Sequence, residues 1–178
     1  PDGSVASGQG FFVKNKNSGF VKFNNSMRIA GRNSIFFKPE NNTSKINKSN
    51  VERHRIWLNF ENKEGAFKQI LLGYIQGATN SYDESFDAET FNGNAYVDFY
   101  SVNDTKKLVI QGRALPFTIE DTIPLAYRTT IADDFTISID HADGDLSNQD
   151  IYLEDKTTGI VHDLTASNYT FKTATGTF

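Results

Sequence analysis

A period-two alternation of apolar and polar residues recurs along the chain and constrains its fold more than any other feature. The clearest case is the run 53–60, in which Ile56, Leu58 and Phe60 fall on one face and mostly polar residues on the other. Such alternation is typical of a β-strand that is buried on one side. A short polar stretch with a glycine follows, so this run and the run 66–76 are predicted to form a hairpin.

Further short apolar runs, separated by Gly, Asn, Asp and Ser, predict additional strands. They lie at 10–14, 19–24, 34–38, 95–101, 108–112, 135–139, 151–154, 160–164 and 169–173. No long stretch has helical periodicity, and many short strands between turn residues are typical of a sandwich or barrel. The sequence therefore predicts an all-β, antiparallel, jelly-roll-like β-sandwich that occupies residues 1–178 as a single domain. Two segments of it, 39–50 and 79–94, are predicted to be exposed loops.

Composition narrows the classes of partner and chemistry. The 178 residues include no cysteine, which excludes disulfides, Cys-based zinc sites and a Cys nucleophile. No apolar run is long enough to cross a bilayer, so membrane insertion is not expected. Residues 1–60 carry ten basic against three acidic side chains, and residues 61–178 carry eight against nineteen. The two halves are predicted to face and partly neutralise each other, or the second half forms an acidic, cation-binding rim. Because the basic residues are scattered and match no binding motif, no nucleic-acid partner is expected.

Two groups of carboxylates are candidate calcium ligands, because calcium takes several oxygen ligands at close range. The first group is the acidic segment with Asp140, Asp143 and Asp145, followed by Asp150. The second pairs Asp83 with Asp87, with Glu84 or Glu89 as further ligands. The alternative for both groups is a solvated acidic turn, since the EF-hand spacing is absent.

No catalytic machinery is recognisable in the sequence. The histidines His54, His141 and His162 are far apart and fit no metal-ligand or base motif. Neither a nucleophile elbow nor a phosphate-binding loop occurs, and no two acids are singled out as a glycosidase pair. The protein is therefore expected not to be an enzyme.

A candidate ligand-binding strip lies on the polar face of the first hairpin. Trp57 shares this face with Arg55 and Asn59, so its ring is placed to stack on a sugar while its neighbours bind the hydroxyls. Tyr82, in the loop 79–94, is a further candidate. The alternative is that the strand is buried on both faces.

Several segments of the chain resemble a non-catalytic module of large secreted proteins of Bacteroidetes, especially flavobacteria. In those proteins the module commonly precedes the sorting domain of the type IX secretion system. The matching segments, in the order of the family, are Ser7–Val13, Val21–Arg28, Arg55–Asn59, Gly73–Thr79, Gln111–Phe117, Ile151–Lys156 and His162–Leu164.

The resemblance implies a structural or adhesive module of a secreted protein at the outer-membrane exterior, exported by a type IX-like route. It also implies that terminal strands present in other members are missing here, which would leave an open sheet edge. Other domains of the same surface protein, or another surface protein, are then expected partners by strand pairing. Polysaccharide is the partner if the module binds carbohydrate instead. Asp121-Thr122-Ile123 resembles the short sequence at which Bacteroidetes attach O-glycans, which makes Thr122 a candidate modification site.

Overall fold

The computed structural model describes Val13, residues 17–28 and residues 51–178. The chain divides into two compact units, Pro1–Ser49 and Asn50–Phe178. In the first unit a 3₁₀ helix spans Asn25–Met27, and the Asn24 side chain accepts a hydrogen bond of 3.0 Å from the backbone N–H of Ser26. The strand predicted at 19–24 is absent: its apolar residues Phe20, Val21 and Phe23 are exposed, and the segment leads into the helix cap at Asn24. The predicted strands 10–14 and 34–38 and the predicted loop 39–50 lie outside the described residues, apart from Val13.

The second unit is built almost entirely of strands, which confirms the predicted all-β class. The described strands are β1 (Arg53–Asn62), β2 (Phe67–Ile75), β3 (Ala88–Glu89), β4 (Val97–Asn103), β5 (Lys106–Arg113), β6 (Leu125–Thr129), β7 (Asp133–Asp143), β8 (Tyr152–Asp155), β9 (Ile160–Asp163), β10 (Tyr169–Thr173) and β11 (Gly176–Thr177). A second 3₁₀ helix, Gly144–Asn148, joins β7 to β8.

Strand β1 is the centre of the main sheet, because it is paired along its length on both sides. It forms the predicted antiparallel hairpin with β2 and pairs antiparallel with β7. The order of the nine described strands is β10-β7-β1-β2-β5-β4-β6-β11, with β3 added to β5. All pairs are antiparallel except β2 with β5, whose strands run parallel. The mostly antiparallel pairing agrees with the predicted antiparallel class, and β2 with β5 is the exception among the described strands.

The sheet curls around an aromatic core. Phe60 of β1 is fully buried, and its ring centroid lies 4.6 Å from that of Phe135, 5.4 Å from that of Phe99 and 4.9 Å from that of Tyr127. Phe135 comes from β7, whereas Phe99 and Tyr127 come from the neighbouring strands β4 and β6, which lie beyond β1, β2 and β5 in the sheet order. The hydroxyl of Tyr127 also lies 2.9 Å from the Thr173 hydroxyl of β10, so the two ends of the curled sheet meet.

A small second sheet, β8 with β9, is an antiparallel hairpin beside this core. Leu164, just after β9, is buried in the core cluster. The Tyr169 hydroxyl of β10 donates a hydrogen bond of 2.7 Å to Asp155 of β8, which ties the hairpin to the edge of the main sheet. Among the described residues no helix has the length and apolarity required to span a bilayer.

Candidate functional site

The outward face of β1 carries a ladder of paired polar side chains. Arg55 meets Asp143 at the end of β7: its backbone N–H donates to Oδ1 at 3.1 Å and its Nε donates to Oδ2 at 3.1 Å. The guanidinium Nη2 of Arg55 also contacts Oδ2 of the same carboxylate. Hydrogen bonding from Arg55 lowers the pKa of Asp143, and the same bond raises the pKa of Arg55. Gly73 of β2 lies opposite Arg55, and a Cβ there would come within 3.1 Å of the Arg55 side chain.

Trp57 occupies the next outward position of the ladder. It is opposite His141 of β7, and the two rings stack with centroids 3.9 Å apart and planes 16° from parallel. The Arg55 guanidinium carbon lies 4.8 Å from the Trp57 ring centroid. At the following position Asn59 accepts a hydrogen bond of 2.8 Å from Gln69 of β2. The structure thus brings together Arg55, Trp57 and Asn59 as predicted, with each side chain already paired within the sheet.

The first acidic group is distributed over a strand and a helix rather than over one turn. Strand β7 is longer than predicted and runs to Asp143, because its pairing with β1 continues past a bulge at Asp140. Asp140 contacts the ring of His141 at 2.6 Å, and Asp143 is held by Arg55. Asp145 lies in the 3₁₀ helix and Asp150 is exposed beyond it. In the part of the chain that the structure describes, no three acidic, His or Cys side chains are grouped as metal ligands.

The second acidic group, Asp83 and Asp87, accepts hydrogen bonds from the backbone. The Asp87 side chain accepts backbone hydrogen bonds from Gly112 at 2.9 Å and from Asp83 at 2.8 Å. Asp83 in turn accepts from the backbone of Ser85 at 2.9 Å. Half of the segment 79–94 is exposed, as the sequence predicts, but Asp87 is only 8% exposed and is followed by the two-residue strand β3. Its buried carboxylate fastens the segment to β5.

The three histidines are each engaged by neighbouring groups. Buried His54 contacts Glu52 at 3.2 Å through Nε2, and its Nδ1 accepts the backbone N–H of Asp145 at 2.8 Å. His141 is stacked on Trp57, as described above. His162 contacts the carbonyl oxygen of Ser167 at 2.8 Å through Nε2. An imidazole used in this way helps to hold the fold together.

The remaining predicted residues lie apart from the ladder. Tyr82 is half-buried, and the Lys106 Nζ lies 4.9 Å from its ring centroid. Thr122 is exposed in the irregular segment between β5 and β6, where glycan attachment at this residue stays a prediction.

A polar cleft of about 290 Å³ is the site that the sequence did not indicate. Its lining comes from β3 and the segment after it, from β4 and β5 with the turn between them, and from β6: Glu89, Thr90, Asn92, Asp98, Tyr100, Thr105, Lys107 and Arg128. Asp98 and Tyr100 alternate along β4 with the core residues Val97 and Phe99, and both are almost fully buried. Of these eight residues the sequence indicates only Glu89, as an accessory calcium ligand. The lining of the polar cleft brings together residues that are up to 39 positions apart in the sequence, from Glu89 to Arg128.

Charges in this polar cleft are unevenly paired. Asp98 lies 3.5 Å from Lys68 Nζ and accepts from the Thr90 hydroxyl at 2.9 Å. Glu89 contacts Lys106 Nζ at 2.8 Å. Arg128, by contrast, donates to the Asn92 side chain at 2.7 Å and to the Asn94 carbonyl at 2.9 Å. Both of these acceptors are neutral.

Comparison with known proteins places the chain in a family without adding a described relative. Neither a curated protein nor a solved structure matches it. One family model does match, and it covers residues 1–178. The chain belongs to that family, which is described as a domain of unknown function, DUF8693.

Proposed function

We propose that this protein is a non-catalytic structural or adhesive module of a secreted, cell-surface protein. The observation that carries the proposal is the ladder on β1, where Arg55, Trp57 and Asn59 are each paired with a side chain of a neighbouring strand. Cross-strand pairs stabilise a sheet and fix its register. A face built in this way favours a rigid spacer or contact surface over a reactive site.

The engaged histidines support the absence of catalysis. A general base must be within hydrogen-bond reach of the substrate proton that it removes. The Nδ1 of His54 already accepts a backbone N–H, and His54 is only 6% exposed. His141 and His162 are likewise held by Asp140 and Ser167.

Resemblance to the Bacteroidetes module supports the proposed location and the type IX-like route. The expected partners are the other domains of the same surface protein or a second surface protein. Strand pairing would occur at the outermost described strands, β10 and β11, because an outermost strand presents backbone groups for pairing.

The location is tested by following the full-length parent protein in its host. Surface-exposed protein is labelled or digested on intact cells, with and without a working type IX system. Exposure in the first strain and retention inside the second support the proposal. Equal exposure in both strains contradicts the route, and an intracellular protein in both contradicts the surface role.

Adhesion and catalysis are tested on the purified full chain. Beads coated with the chain are expected to adhere to cells or polysaccharide, and the chain is expected to release no reducing ends from a polysaccharide panel. Turnover that disappears when a single carboxylate is replaced by its amide would show an enzyme instead.

Carbohydrate binding is the alternative function. On the ladder, the half-buried Trp57 ring is already stacked against His141, so this position offers a sugar less free ring surface than the sequence suggests. A saccharide site is better sought elsewhere in the sheet.

A further inference from the structure

We propose that the polar cleft between β4, β5 and β6 binds an acidic sugar residue, a uronate, of an anionic polysaccharide. The proposal deepens the alternative function, carbohydrate binding, and moves its site away from Trp57. It stands independently of the structural role and of the export route.

Size and polarity of the polar cleft suit a single sugar unit. Its volume of about 290 Å³ lies at the lower end of the range for small-molecule sites. Hydroxyl groups of Thr90 and Thr105 and the carboxylate of Asp98 line the cleft. Together they offer donors and acceptors, which is what a ring with several hydroxyls requires.

Asp98 lines the polar cleft with only 3% of its surface exposed, and it orients the Thr90 hydroxyl. Its Oδ1 accepts from the Thr90 hydroxyl at 2.9 Å and from the backbone N–H of Phe99 at 3.1 Å. Its Oδ2 contacts the Thr90 hydroxyl at 3.1 Å. Because a carboxylate has about four lone-pair sites, Oδ2 keeps capacity for another donor.

The charge balance favours an anionic ligand. Lys68 lies near Asp98 and Lys106 near Glu89, so lysines outside the lining offset the two carboxylates. The other two charges of the lining are Arg128, whose described partners are neutral, and Lys107, whose Nζ lies 4.9 Å from the Tyr100 ring centroid. A ligand carboxylate meets two cations there, and Lys107 is the exposed one, free to turn towards it.

The test is an NMR titration of the ¹⁵N-labelled full chain with three matched sugars, glucuronate, glucose and glucosamine. We expect affinity in the order anion, neutral sugar, cation, with a dissociation constant for glucuronate on the order of 1 mM. Amide shifts should centre on Thr90, Asn92, Thr105 and Lys107. Since the preference is electrostatic, raising the salt concentration should weaken glucuronate binding and leave glucose binding unchanged.

Variants separate this site from the ladder. Lys107→Gln should weaken glucuronate binding about tenfold, because a charge-assisted hydrogen bond is lost, while glucose binding changes little. Trp57→Ala should leave binding unchanged, and Lys63→Gln, in the β1–β2 turn, is the matched lysine control.

Three results would overturn the proposal. They are the absence of amide shifts with all three sugars, shifts centred on Trp57 and His141, or glucosamine binding that is stronger than glucuronate binding. None of them bears on surface location or adhesion, which have their own assays.

Discussion

At the scale of single residues, Asp143 is predicted from the sequence to bind calcium. In the structure its carboxylate is paired with Arg55. Hydrogen bonding from Arg55 lowers the Asp143 pKa more than burial raises it. A carboxyl group whose pKa is lower in the folded state than in the unfolded state stabilises the fold above its unfolded pKa. That contribution is lost as the pH falls through the folded-state pKa.

Replacing Asp143 by Asn should therefore lower stability in a pH-dependent way. The pair is partly exposed, so we expect a loss of about 1 kcal/mol in the free energy of unfolding at neutral pH. The difference from the wild type should be constant at about pH 5–8 and shrink below about pH 4. Urea unfolding across this pH range measures it. Glu64→Gln, an exposed change in the β1–β2 turn, should show no such trend, and a difference that persists undiminished in acid would contradict the ion-pair explanation.

The calcium hypothesis has a residue-level test of its own. Because Arg55 holds Asp143, an ion at this acidic segment must displace the guanidinium. A ligand that binds only the folded state raises the unfolding midpoint. We expect calcium to raise the midpoint more for Arg55→Gln than for the wild type, with EDTA reversing the effect. An equal rise in both proteins would place the ion elsewhere, and no rise in either would leave these carboxylates as solvated surface groups.

At the scale of secondary-structure elements, a close approach joins the segment 79–94 to β5. Gly112 lies beneath Phe86, and a Cβ at position 112 would come within 2.6 Å of the Phe86 Cβ and 3.3 Å of its carbonyl oxygen. The backbone N–H of Gly112 also donates to buried Asp87. Glycine at this position allows the segment to lie directly on the strand.

Gly112→Ala should accordingly destabilise the protein by about 1–3 kcal/mol, the usual cost of overpacking. Denaturant unfolding measures the change. Gly93→Ala is the matched control in the same region, because a Cβ at 93 meets nothing within 4 Å. Equal effects of the two substitutions would show that loss of glycine flexibility, and not the contact with Phe86, determines the result.

Elements with strong local patterns were predictable, and those that depend on distant partners were not. The β1–β2 hairpin and β10 follow from alternation within their own residues. Strands β3 and β11 have two residues each, too few to show any period. The strand predicted at 19–24 was wrong, since Asn24 caps a helical turn instead. Strand β6 was missed because only its pairing with β4 and β11 defines it.

The candidate sites divide in the same way. Arg55, Trp57 and Asn59 share a face because residues two apart in a strand always do. That Asp143 and His141 would face them depends on the pairing of β1 with β7, across more than 80 residues. The polar cleft forms because the fold brings Arg128 close to Thr90. No spacing of residues in the sequence predicts that these two lie close together.

At the scale of the whole molecule, the ends of the curled sheet are joined through Tyr127 and Thr173. Their hydroxyls are 2.9 Å apart, and the Tyr127 ring lies 5.5 Å from that of Phe171 on β10. Burial raises the pKa of Tyr127. The hydrogen bond therefore connects β6 to β10 at a partly buried position.

A double-mutant cycle tests this closure. Tyr127→Phe and Thr173→Val should each cost about 1 kcal/mol, the typical net value of one hydrogen bond. The double variant should cost less than the sum, because the second change removes a bond that is already lost. Urea unfolding of the four proteins gives the coupling energy. Strict additivity would mean that the two hydroxyls act separately, and the closure would then depend on the aromatic contacts alone.

The parallel pairing of β2 with β5 has a consequence for how quickly the protein reaches this fold. The two strands of a hairpin can pair progressively, starting from the turn that joins them. Parallel strands need a crossover connection before they can pair. Here the chain must pass through β3 and β4 before β5 can join β2. Non-local pairings of this kind slow folding, to milliseconds or seconds in all-β domains. We expect that pairing with another copy at the free edge of β2 competes with folding until β5 has covered that edge.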